Sequence, residues 1–188
     1  MNIINVGYQS TNYYLIDIEG GKLLVDCGWP GTLPQFSAEL KRKGVSIQDI
    51  KYFLVTHFHP DHAGMTQELK KLGIKHILLD LQIDSVSQMT EFFKTKNHPY
   101  VQISTNDSIN LKAEESRNFL AGLGLQGEII HTPGHSNDSV TLILDEGFAF
   151  IGDLHREFIL AEDDTVSRAS WNKIHTHKIK TIFPAHGK

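Results

Sequence analysis

Residues 56–64 read THFHPDHAG, which sets His57, His59, Asp61 and His62 within six positions. Imidazoles and carboxylates are the ligands left to a divalent ion when thiolates are scarce, and Cys27 is the sole cysteine. Three imidazoles and a carboxylate packed this closely have few structural uses. The stretch therefore reads as part of a metal site, and the chemistry of such a site is the activation of water.

The elements around the cluster give it a shape. The run up to His59 reads as a strand, and Pro60 disfavours helical geometry in the residue before it, which keeps His59 extended. His57 and His59 then point to the same side, because side chains of an extended chain repeat every two residues. Pro60 also suits the first position of a helix, with Asp61 in the first turn, where a negative charge meets the helix N-terminus. Asp61 and His62 would project toward a neighbouring position, a layout for two ions rather than one.

Other apolar runs end on residues of the same kinds. IIHTPGH presents His135, FAFIGD presents Asp153, TIFPAH presents His186 and LLVD presents Asp26. A lone His on a loop or a lone Asp at a strand end is ordinarily a solvated, turn or capping residue. With the six-residue cluster in place, the five endings together predict a site at one edge, where ligands of α/β folds gather at the carboxyl ends of strands.

The remaining pattern alternates strands and helices. NYYLIDI and KLLVD read as a hairpin through Gly20 and Gly21, followed by a helix from a Thr32 cap to Gly44 and the strand YFLVT. HAGMTQELKKLG reads as one helix, HILLD as a strand and DSVSQMTEFFKT as a helix, with an irregular stretch to Asn110 and a short helix near AEESRNFLAGLG. Strands follow at GEIIHT, SVTLILD and GFAFIG, then a helix near SRASWNKIHTHKI and a last strand KTIFP. This is a mixed α/β (α+β) pattern with hairpins at both ends, not a strictly alternating parallel sheet.

The 188 residues fit one domain, 1–188, large enough to fold without a structural metal or disulfide. The 18 basic and 22 acidic residues give a formal charge of −4, so no nucleic-acid partner is expected. The start, MNIINVGYQSTNYYLI, lacks a basic segment followed by a long apolar core, and no run approaches a bilayer span; no membrane partner and a cytoplasmic location are expected.

In order and type, these residues match the HxHxDH signature, distant His, Asp and final His of the metallo-β-lactamase superfamily, which the chain resembles from Asp26 to His186. The resemblance implies an αββα sandwich of two mixed sheets with the site at one edge. It assigns His57, His59 and His135 to one ion, Asp61, His62 and His186 to a second, and Asp153 to a bridge between them. Asp26 and Thr56 would orient ligands from behind. The implied cofactor is two divalent ions, zinc by default, with iron or manganese also compatible with these donors. Ions about 3.5 to 4 Å apart share a water and lower its pKa toward 7, which makes a bridging hydroxide the nucleophile. Asp61 sits where a carboxylate could also pass a proton to the leaving group.

Within the family, antibiotic-degrading members carry Cys or Ser in place of Asp153, and the di-iron flavoproteins carry an acidic residue in place of His59. The full ligand set occurs in glyoxalase II-like thioesterases and in lactonases. The sequence stops two residues after His186, so a glutathione-binding helical domain, and with it a glutathione thioester substrate, is not expected. The expected activity is hydrolysis of a small-molecule ester, thioester or lactone; the alternatives are a phosphodiesterase using the same site and a non-catalytic metal-binding regulatory domain. Trp29, Pro30 and Trp171 are expected in packing, as is the Phe92–Phe93 pair, and His155 in solvent. His76, His98, His131, His175 and His177 have no pattern linking them to the metals.

Overall fold

The computed structural model describes residues 1–187. Its first half builds a six-stranded sheet in the order of the chain: β1 (Ile3–Asn5), β2 (Tyr14–Ile18), β3 (Gly21–Val25), β4 (Ile50–Leu54), β5 (Lys75–Leu79) and β6 (Ile109–Leu111). The first three strands form an antiparallel meander, with Gly20 taking the positive φ of the β2–β3 turn; from β3 onward the pairing is parallel. The second sheet has the order β10 (Thr181–Pro184), β9 (Phe148–Gly152), β8 (Val140–Leu144), β7 (Gly127–His131). It too is mixed, antiparallel except for β10 beside β9.

Three apolar clusters define the layers. Leu23, Val25, Leu54 and Ile77 of the first sheet meet Leu142, Leu144 and Phe150 of the second in a core between the sheets. On the outer face of the first sheet, Leu24, Phe53 and Leu78 pack under α1 (Leu33–Arg42), α3 (Thr66–Lys71) and α4 (Ile83–Lys94) through Phe36, Leu40, Leu69, Val86 and Phe93. On the outer face of the second, Ile143 and Ile151 pack against Trp171 and Ile174 of α6 (Thr165–His175). Alternate residues of β3, such as Leu24 against Leu23 and Val25, thus face different layers, which is why its run is apolar throughout. This is the helix–sheet–sheet–helix sandwich, and α5 (Ser116–Ala121) adds Leu120 to the intersheet core.

Several local expectations change. The strand before the histidine cluster ends at Leu54, and residues 55–59 are irregular, although His59 keeps the extended backbone that Pro60 demands (φ −95°, ψ 157°). The expected single helix after it is two, α2 (Pro60–Ala63) and α3, broken around Gly64, where a Cβ would collide with Pro30. Thr32 does not cap α1: its hydroxyl donates to the Trp29 carbonyl at 2.6 Å and meets Tyr8 Oη at 2.5 Å. Ile3–Asn5 and Ile109–Leu111, three residues each, are strands too short for a periodic signal. Phe92 is 49% exposed while its neighbour Phe93 is buried.

Candidate metal centre

The site begins with a residue in a costly conformation. Asp26 follows β3 with φ +62°, a left-handed backbone angle uncommon outside glycine, and is 2% exposed. Its carboxylate accepts the Thr56 backbone N–H at 2.7 Å, the Thr56 hydroxyl at 2.9 and 3.0 Å, and a His62 Nδ1–H at 2.9 Å. These bonds bind the end of β3 to the loop after β4. Gly152, at the end of β9, closes the same corner: its φ is +55°, and an added Cβ would lie 2.6 Å from Thr56 Oγ1.

Hydrogen bonds then fix which imidazole nitrogen faces the centre. A carboxylate only accepts, so His62 gives its Nδ1 proton to Asp26 and points Nε2 at the centre, where it is bare once an ion takes the place of its second proton. With the Thr56 hydroxyl donating to Asp26, His57 Nδ1–H donates to Thr56 Oγ1 at 3.1 Å, again leaving Nε2 bare. His186 Nδ1–H donates to the Ser10 carbonyl at 2.8 Å. Three imidazoles are thereby oriented from behind with Nε2 pointing at shared carboxylates. His62 Nε2 lies 3.3 Å from Asp153 Oδ2 and 3.5 Å from Asp61 Oδ2, and His186 Nε2 lies 3.3 Å from Asp153 Oδ1 and 3.2 Å from Asp61 Oδ2. His135 Nε2 is 3.5 Å from Asp153 Oδ2 and 3.0 Å from His59 Nδ1.

Seven predicted residues therefore converge. They sort into three overlapping groups, His57/His59/His135, His57/His62/Asp153 and Asp61/His62/His186, with the candidate ligand atoms of each group within 4.8 Å of one another. His57 Nε2, His62 Nε2 and Asp153 Oδ1 are buried and have no hydrogen-bond partner, an expensive arrangement unless a cation lies among them. The donor set, imidazole with carboxylate, fits a divalent ion of the zinc, iron or manganese type.

The electrostatics agree. Burial, reinforced by the neighbouring imidazoles, holds His57 well below the usual histidine range, so its imidazole is neutral. Burial also disfavours charge on His62, but Asp26 and Asp153 outweigh it and push the imidazole up to about 10. Burial alone would raise the Asp153 carboxyl, yet His62, His186 and His135 bring it down. The pocket is thus built to hold positive charge beside Asp153.

Residues without a local sequence signal complete the frame. The Thr11 hydroxyl donates to Asp61 Oδ2 at 3.2 Å, and Thr11 bridges His186 through the backbone. Asp138, 5% exposed, accepts the Phe58 N–H and the Ser136 hydroxyl, both at 2.8 Å, which couples the loop of His57 and His59 to that of His135. Gln82 Nε2 reaches the Val55, Thr56 and Asp138 carbonyls at 3.1 to 3.3 Å. An Asp within SNDS or a Gln before a helix looks like any turn or cap residue, so only the folded contacts reveal them.

The other singled-out residues lie apart or in packing. His76 is fully buried against Phe53, with burial pushing it down to about 3, and belongs to no ligand group. Trp171 is buried and donates Nε1–H to the His155 carbonyl at 2.8 Å. His155 is exposed, as expected, but borders the centre: it lines a cavity of about 260 Å³ with His135, Asp153, Arg156 and His186.

A family profile described as the metallo-beta-lactamase superfamily matches residues 6–186. The chain belongs to this superfamily. It is 31% identical over 95% of its length to a beta-lactamase-like protein 2 homolog of Drosophila melanogaster, and 27% identical over 95% to an atrochrysone carboxyl ACP thioesterase of a Cryptosporiopsis species. It spans 59% and 49% of those two proteins, so the curated relatives are substantially longer. Among solved structures, a metallo-beta-lactamase of Legionella gormanii superposes with a TM-score of 0.73 at 21% identity, covering 98% of this chain and 76% of that one, and shares its fold.

Proposed function

We propose that the protein is a dinuclear-metal-dependent hydrolase that cleaves a small ester, thioester or lactone. The observation that carries this reading is the convergence of seven imidazole and carboxylate side chains, three of their buried ligand atoms unpartnered, at the ends of strands from two sheets. His57, His59 and His135 would hold one ion, Asp61, His62 and His186 the other, and Asp153 both. Two divalent ions so held supply a Lewis acid and water of lowered pKa, and polarise a carbonyl without a serine nucleophile or separate oxyanion hole.

The chain's own residues do the rest. Asp26 and Thr56 lock the tautomers of His62 and His57, so that Nε2 serves as ligand in both. Asp61, oriented by the Thr11 hydroxyl, orients the attacking water and carries its proton to the leaving group. A carboxyl thioesterase among the relatives supports acyl chemistry over phosphoryl chemistry.

The test is an assay of zinc-loaded protein against acyl thioesters, lactones and phosphodiesters, with chelated protein and His59→Ala as controls. Turnover of thioesters or lactones that both controls abolish is the expected result. Activity confined to phosphodiesters would replace the reading, and silence on all three would favour a non-catalytic metal-binding domain.

A further inference from the structure

A groove of about 460 Å³ opens beside the candidate metal centre, within the range of about 300–1,000 Å³ usual for small-molecule sites. His59 and Pro60 form one end, so the groove is continuous with the centre, where His59 Nδ1 lies 3.0 Å from His135. Phe58 and Met89, 5% and 3% exposed, line it with Phe92 of α4, and Ser85, Gln88 and Ser136 add neutral polar groups. α4 buries Val86, Met89 and Phe93 in the core but leaves Phe92 half in solvent, where it borders this groove.

The lining carries no lysine or arginine, and its one carboxylate, Asp138, is already engaged by the Phe58 N–H and the Ser136 hydroxyl. The groove thus offers no lysine or arginine to pair with an anionic ligand, and Phe58, Met89 and Phe92 give it an apolar surface to cover. The smaller cavity on the Asp153 and His186 side is bordered instead by His155 and Arg156, groups suited to a polar leaving group.

We propose that the groove binds the acyl chain of the substrate, which makes medium-chain acyl thioesters or esters the substrate class; this rests on the hydrolase reading above. Hydrolysis of such a thioester consumes one water, breaks the C–S bond, and releases the chain as a carboxylic acid and the leaving group as a thiol.

The experiment compares kcat/KM of zinc-loaded protein on octanoyl and acetyl thioesters of N-acetylcysteamine, for wild type, S85W and F92A. The expected octanoyl-to-acetyl ratio is about tenfold or more in wild type, because each buried methylene favours binding, and it falls about fivefold or more in both variants. The ratio cancels any general loss of metal or fold. A wild-type ratio near one, or a ratio unchanged in the variants, overturns the assignment. If wild type turns over neither thioester, thioester hydrolysis is excluded while the wider hydrolase reading stays with the lactone and ester assays, and the groove is judged by titrating octanoate against the ¹³C-methyl signal of Met89. A saturable shift abolished by S85W supports an acyl-binding groove, and no shift overturns it.

Discussion

Asp26 joins two roles in one carboxylate. It holds the Thr56 loop in place and fixes the His62 tautomer, and it does so from a left-handed backbone angle that the surrounding bonds must maintain. Asp26→Asn keeps the shape but replaces one accepting oxygen by an amide donor facing His62 or Thr56. Zinc affinity, measured by chelator competition, should fall about 10–100-fold. Asp61 makes a different prediction because its carboxylate lies 3.2 Å from His186 Nε2 and is oriented by the Thr11 hydroxyl. Asp61→Asn should lower kcat about 100-fold or more while at least one ion stays bound through His57, His59 and His135, as read by elemental analysis. Full activity in that variant would remove Asp61 from proton transfer.

At the scale of elements, strand ends do the positioning. Asp26, Asp153 and His186 follow β3, β9 and β10 at once or within two residues, while His57 and His135 sit on short loops after β4 and β7. This was legible because each apolar run is followed by a polar residue of ligand type, and the Pro60 effect on His59 is local stereochemistry that holds in the fold. What was not legible depends on contacts distant in the chain. The packing of Pro30 on Gly64 and the contact of the Thr32 hydroxyl with Tyr8 join residues far apart in the chain, and neither is visible from neighbouring residues. Asp138 and Gln82 escaped for the same reason. Gly152 gives the sharpest test of this corner: Gly152→Ala places a Cβ at a left-handed φ and against Thr56, so unfolding by urea should show a loss of about 2 kcal/mol or more.

For the whole molecule, the two sheets close over one apolar core and leave a concentrated charge at one edge. In chelated protein, His62 meets that charge with a proton. Its folded pKa of about 10 exceeds the unfolded value of about 6.5, so the stability it adds is complete below about pH 6.5 and is lost as pH rises toward 10. Thermal melts of chelated protein should therefore fall across that window, and zinc-loaded protein should fall much less, since an ion replaces the proton. The fold and the convergence of imidazoles and carboxylates were readable because they depend on strand periodicity and residue type. The groove beside His59 was not, since Phe58, Met89 and Ser136 come together only through the packing of α4 against two loops.

The central claim is a pair of divalent ions held by one set of side chains. The most direct measurement is the metal content per chain of protein reconstituted with zinc and freed of excess ion, in wild type, His59→Ala and His186→Ala. Two equivalents in wild type, with one or fewer in each variant, is the predicted result. Less than one equivalent in wild type, or two retained in both variants, would contradict it.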